Sequence, residues 1–310
     1  MRIAIVGQRD FGKAVLEAFV SRGDTVAGVF CAPEGAAQPP DPLRVAAESR
    51  GVTVHSFDSL RSEAARSALA ELNVELAVLA FVLQFVPQDF AATPKHGAIQ
   101  YHPSLLPRYR GPSAVNWPII RGDSYTGLSI FRPNDGLDEG PVILQKRVEI
   151  SPDDTVRQVY FERLFPMGVA ALVEAAELVL SGRAEEWVQD ETHASYEGWC
   201  RDAEARINWH THVDVLYNLI RGCDPAPGSW TLLRGRKLQI FDARKHTARR
   251  FAQAKSPIGS ITALSPESCT VAAQGGSIEV LRVKYAGGKK MSAAQFCAEA
   301  GLSVGAVLGE

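Results

Sequence analysis

The chain has 310 residues, 46% of them hydrophobic, with a formal net charge of -2 and a pI near 6.4. That is enough for one large and one small packed domain, and the balance of charge excludes a protein built over its whole surface for nucleic acid or an anionic membrane. The five cysteines show no CxxC spacing, no run of about 18 apolar residues occurs, and the opening IAIVG is too short for a signal core, so free thiols in a cytoplasmic protein with no membrane partner are expected.

In chain order, RIAIV reads as a buried parallel-type strand, AVLEAFVSRG as an amphipathic helix closed by Gly23, and TVAGVFC as a second strand. The turn between them, GQRDFG, lacks the middle glycine of a dinucleotide loop, since Arg9 stands there, and no acid closes the second strand. No nicotinamide cofactor is expected. Ala32 to Pro42 is a Pro/Gly/Ala surface loop without a basic residue. Helix (DPLRVAAESRG), strand (VTVHSF), helix (DSLRSEAARSALAEL) and strand (LAVLAFV) then continue the alternation of a doubly wound, mostly parallel sheet, with His55 as a structural rim residue. In LQFVPQDF, Phe85 and Val86 either line a pocket or pack under the next helix.

Further on, SAVNWPIIRG reads as a helix interrupted by Pro118, TGLSIFR and PVILQKRVEI as strands, and 154–182 as one long helix or two. The stretch SGRAEEWVQDETHASYEGW is polar, aperiodic and linker-like. After a helix ending near Gly222, short strands separated by Gly, Pro or Ser indicate a small OB-like β-barrel, and the boundary is placed near 204, giving domains 1–203 and 204–310. Residues 205–310 hold 14 Lys and Arg against 7 acids, leaving 19 against 28 for the rest, so the tail is basic and the front acidic. His210 and His212 have no Cys or acid at ligand spacing, and no metal is expected.

Chemistry concentrates in IQYHPSLLPRYRG, where His102 closes a short apolar strand and Pro103 and Pro107 stop the ladder. Period-two alternation puts Gln100 on the same face as His102. A polar tip at a strand's carboxyl end is where open α/β sheets bind ligands. The loop NDGLDEG, between two strand-like runs, supplies Asp138 as a carboxylate that can pair with that imidazole.

The runs VGQRDFG, QFVP, YHPSLLPRYRG, LSIF, DGLDEG and SPDDTV, together with INWHTHVDVLYNLIRGCDPAPGSWT, resemble the folate-dependent formyltransferase family over nearly the whole chain. The family includes glycinamide ribonucleotide and methionyl-tRNA formyltransferases, and the order and spacing are most similar to the hydrolase domain of 10-formyltetrahydrofolate dehydrogenase. The resemblance implies 10-formyltetrahydrofolate as substrate or formyl donor. His102 and Asp138 match the catalytic histidine and aspartate, and the pteridine pocket maps to Gln84, Phe85 and Val86 on one loop and Asn134, Asp135, Gly136 and Leu137 on the other. The family's asparagine two residues before the histidine is absent here, where Gln100 stands, and the hydrolase domain also lacks it. Arg132 stands where the family usually carries a bulky apolar residue at the substrate edge.

The implied activity is hydrolysis to formate and tetrahydrofolate, with formyl transfer to an amine (methionyl-tRNA, an amino sugar or an amino acid) or a low-activity folate-binding role as alternatives. The tRNA enzymes use a basic segment where this chain has Ala32 to Pro42, so tRNA is not favoured. The chain stops after the barrel with no aldehyde-dehydrogenase portion, so NADP-dependent oxidation is not expected of it.

Overall fold

The computed structural model describes residues 1–35, 39–248 and 256–309; residues 36–38 of the predicted Ala32 to Pro42 loop lie outside the described residues. The front of the chain runs β1 (Arg2–Gly7), α1 (Arg9–Ser21), β2 (Thr25–Cys31), α2 (Pro42–Glu48), β3 (Val54–Ser56), α3 (Glu63–Glu71), β4 (Leu76–Ala80), α4 (Gln88–Ala91), β5 (Ala98–His102), α5 (Asn116–Arg121), β6 (Tyr125–Phe131) and β7 (Val142–Glu149). A π-helical turn, Gln158–Leu164, then leads into α6 (Phe165–Leu180). Seven strands form one sheet in the order β3-β2-β1-β4-β5-β6-β7. The first five are parallel and β6 runs antiparallel to β5, pairing Ser129 with His102. Strand order reverses between β1 and β4, so the crevice of a doubly wound sheet opens at the carboxyl ends of those strands.

Local chemistry explains the elements. Ile3 and Ile5 are fully buried, as expected for a strand covered on both faces, and α1 buries Phe11, Val15, Leu16 and Phe19. Phe11 stacks on Tyr101 at 4.5 Å, tying α1 to β5. At the end of β1, a Cβ on Gly7 would lie 1.9 Å from the Ala80 carbonyl oxygen, so only glycine lets β1 and β4 end so close together. The α5 helix starts at Asn116, later than predicted, because Pro118 then falls in the first turn, where a missing N–H costs nothing.

The remaining elements are α7 (Val213–Gly222), β8 (Ser229–Leu233), β9 (Arg236–Thr247), β10 (Ile261–Leu264), β11 (Cys269–Ala273), β12 (Gly276–Tyr285), β13 (Met291–Ser292) and α8 (Ala293–Glu299). They make an antiparallel sheet in the order β10-β11-β12-β9-β8, with β13 on β12, which is the small barrel-type domain predicted. Its core joins Leu216 and Ile220 of α7 to Ile240, Val271, Ile278 and Phe296.

Two compact units result, one of Met1–Gly111, Gly127–Val148 and Glu162–Tyr196, the other of Pro112–Thr126, Glu149–Phe161 and Glu197–Glu310. The single predicted cut near 204 therefore becomes an interleaved division in which α5 and the stretch before the π-helical turn belong with the later unit. The linker-like reading of 181–199 is corrected: residues 187–196 are ordered within the first unit, Trp187 exchanging backbone hydrogen bonds with Val142 and Ser195 bonding Pro107 and Arg110.

Candidate active site

His102 is the last residue of β5 and is 5% exposed. Its Nε2 lies 2.8 Å from the Tyr109 carbonyl oxygen, which can only accept, so Nε2 carries the proton and Nδ1 is left toward Asp138 Oδ2 at 3.5 Å. The Tyr109 carbonyl therefore orients the ring. The Asp138 carboxylate accepts instead from the Gly111 N–H at 2.8 Å. At 3.5 Å Nδ1 and the carboxylate stand at the edge of hydrogen-bond reach with room to tighten, a spacing suited to passing a proton.

The turn after His102 is pinned from below. Ser129 Oγ donates to the Ser104 carbonyl and accepts from Leu106 N–H, and Gln145 Nε2 donates to the Leu106 carbonyl. Leu106, Phe131 and Val142 pack together under it.

The polar segment 187–196 holds both halves of the pair. Ser195 Oγ accepts from Tyr109 N–H at 2.8 Å, and the Ser195 N–H donates to the Pro107 carbonyl. Arg110, fully buried, donates from Nε and Nη2 to Gln189 Oε1, from Nη1 and Nη2 to the Glu191 carboxylate, and from Nη1 to Tyr196 Oη. Gln189 Nε2 in turn donates to the Asp138 and Gly140 carbonyls at 2.8 and 2.7 Å, and Tyr196 donates to Glu139 Oε1. The Glu191 hydrogen bonds raise the Arg110 pKa, Arg110 lowers that of Glu191, and the Glu139 acceptor raises that of Tyr196. The sequence reading missed Gln189, Glu191 and Tyr196. No periodic signal marks them, because they bond backbone and one arginine rather than bury an apolar face.

Gln100 lies two residues before His102, half buried, and its amide makes no hydrogen bond among the described residues. Of the first loop, Gln84 turns its amide to the Phe57 and Asp58 carbonyls, Val86 is buried with Phe30 and Phe90, and Phe85 is 42% exposed with Arg61 over its ring. Both readings of Phe85 and Val86 thus hold, one for each residue. Asn134 Oδ1 accepts from Gly136 N–H, Asp135 Oδ1 accepts from Gln88 N–H, and Leu137 is half exposed, so the two loops are bonded to each other. A cavity of about 370 Å³ opens there, lined by Arg61, Phe85, Pro87, Asp89 and Asp135; His102 and Asp138 do not line it, and its wall is more charged than an apolar pterin pocket. Arg132 is corrected. It donates to the His96 and Ala98 carbonyls and pairs with Glu186, clamping the start of β5 about 13 Å of strand away from His102 rather than edging the site.

Among the described residues no group of three or more His, Cys, Asp and Glu could hold a metal ion, and no helix is long and apolar enough to cross a membrane. Residues 1–176 match the formyl transferase family model and residues 200–301 the formyl transferase C-terminal domain. Human mitochondrial 10-formyltetrahydrofolate dehydrogenase is 42% identical over 78% of this chain, which spans only 26% of that relative's length. A methionyl-tRNA formyltransferase of Geotalea daltonii is 30% identical over 100% of this chain and 98% of its own. In fold, the chain is similar to an N-formyltransferase from Helicobacter canadensis in complex with folinic acid and dTDP-3-aminofucose, with a TM-score of 0.66 at 16% identity over 90% of this chain and 98% of that one. With a buried histidine and a loop aspartate facing one another at the end of β5, and with both domain models matched in order, this chain belongs to the formyltransferase family.

Proposed function

We propose that the chain hydrolyses 10-formyltetrahydrofolate to formate and tetrahydrofolate in a cytoplasmic setting, using His102 and Asp138 as an acid–base pair and Gln100 as an oxyanion donor. The observation that carries the reading is the unbonded Gln100 amide on the face of β5 that ends in the buried His102–Asp138 pair. Water attacks the formyl carbon and passes its proton to Asp138, the carbonyl oxygen becomes an oxyanion, and the C–N bond breaks as the folate nitrogen takes a proton from the His102 side. A well-placed amide donor contributes about 3 kcal/mol to such a step, and one displaced by a methylene contributes less. The folate substrate is assigned to the loops carrying Gln84, Phe85 and Val86 and Asn134, Asp135, Gly136 and Leu137. The five free cysteines, all buried, support a reducing compartment.

Formyl transfer to an amine is the second reading, favoured by the full-length match to a methionyl-tRNA formyltransferase. A glutamine reaches one methylene further than asparagine. A small water tolerates that displacement, whereas an amine must align with the carbon and the donor together, and a misplacement of about 1 Å can cost about a hundredfold.

Formate and tetrahydrofolate are quantified with and without a panel of amines that includes charged Met-tRNA and amino sugar nucleotides. Release without amine is expected, lost in His102→Ala and Asp138→Ala and changed less than about tenfold in Gln100→Ala. Turnover that strictly requires one amine rejects hydrolysis in favour of transfer, and no turnover under any condition leaves a folate-binding protein.

A further inference from the structure

Asp138 has φ 56, in the left-handed region, which a short polar side chain visits as a single residue and keeps where the surroundings hold it. The atoms that hold it are identifiable. Gln189 spends both amide hydrogens on the Asp138 and Gly140 carbonyls, bracketing the carboxylate-bearing residue on its backbone. The orientation of that amide is not a free choice. Arg110 has only donors and the two carbonyls only accept, so Oε1 must face the guanidinium and the NH2 must face the loop. All five N–H groups of the fully buried Arg110 are used, two of them on Gln189, so the amide cannot flip without leaving donors unmet.

The same loop geometry sets the carboxylate. Asp138 Oδ2 reaches the Gly111 N–H and faces His102 Nδ1, and Gly111 directly follows the arginine that fixes Gln189. We infer that Gln189, held by Arg110, is a positioning residue that keeps Asp138 in its left-handed conformation and so sets the distance between the carboxylate and the His102 imidazole. The inference deepens the acid–base reading above and rests on it for its catalytic consequence, although the positioning itself is a statement about structure. Gln189 touches no reacting atom; it acts through Asp138.

The test is Gln189→Glu in the full chain, read by amide hydrogen exchange and by kinetics. Glutamate keeps the length and the contact with Arg110 but turns an oxygen toward two carbonyl oxygens, which must separate. Exchange at the Gly111 N–H is expected to quicken at least about tenfold, with the amides of β5 unchanged, because its acceptor has moved. In formate release, kcat is expected to fall at least about tenfold while KM for 10-formyltetrahydrofolate stays within about threefold, a split that general loosening of the fold would not produce. In an Asp138→Ala background, where turnover is already lost, the substitution should quicken Gly111 exchange no further, since a residue that works only through Asp138 has nothing left to position.

Gly111 exchange within about twofold of the parent, or exchange that quickens further in the double variant, overturns the inference. If Gln189→Glu quickens exchange everywhere, Arg110→Lys is read by the same criteria, because it keeps a charge opposite Glu191 while losing the paired hold on Gln189. Quickened Gly111 exchange in a parent that shows no turnover with water or any amine upholds the positioning and rejects the hydrolase reading, which separates the two.

Discussion

His55 stacks its ring on Phe30 at 4.8 Å, and its buried Nε2 has no hydrogen-bond partner among the described residues. Burial lowers its pKa below the usual histidine value, with Glu71 opposing the shift. The unfolded chain then binds this proton more readily than the folded one. Its contribution is intact above about pH 6.5 and is lost as the pH falls from there through the folded value. Replacing it by phenylalanine keeps the stack and removes the titration. Urea unfolding at pH 7.5 and 5.0 should show wild type losing more stability than His55→Phe between the two, at no more than about 1.4 kcal/mol per pH unit; parallel losses would remove the residue from the acid response. At this scale the sequence was legible where chemistry is local. A histidine before a proline and an aspartate in a Gly-flanked loop announce themselves, and they meet. What Arg110 does was not legible, since the residues that satisfy a buried arginine lie some 80 positions downstream and carry no pattern of their own.

Asp41 ties two elements together. It is the N-cap of α2, where its Oδ1 accepts from Leu43 N–H, and both its oxygens also accept from Arg9 N–H at 2.9 Å, at the first turn of α1. A carboxylate thus sits at the amino end of α1, where the helix dipole favours negative charge. Asp41→Ala removes a cap and a charged acceptor together and should cost about 2 kcal/mol in urea unfolding, with Asp41→Asn retaining about half of that through its own capping oxygen. A loss no larger than an ordinary surface substitution would show that the loop finds other acceptors. Periodic elements such as β1, α1 and β4 were legible because burial dictates their pattern. The stretch 187–196 was not, because side-chain bonds to backbone and one isolated bridge to β7 hold it. The polar composition that made it look like a linker supplies those bonds.

For the whole molecule, the interleaved units show why a boundary read as a change of pattern near 204 captures only part of the division. Short segments such as α5 carry no barrel signature, yet belong with the later unit. The bridge between Trp187 and Val142 has a consequence outside catalysis. β7 ends the seven-stranded sheet, and an edge strand offers unpaired N–H and C=O groups to any other chain. Lys146 and Arg147 guard its later half with charged side chains, but Val142 and Ile143 at its start are buried apolar residues whose edge is met by the backbone of Trp187. Trp187→Pro deletes the N–H that donates to Val142 and should raise static light scattering on incubation at 37 °C, while an unchanged monodisperse solution would mean that the edge is guarded by its charges alone. The segment that organises the carboxylate would then also be what keeps this sheet from growing into its neighbours, and a lesion there would be felt first as lost solubility.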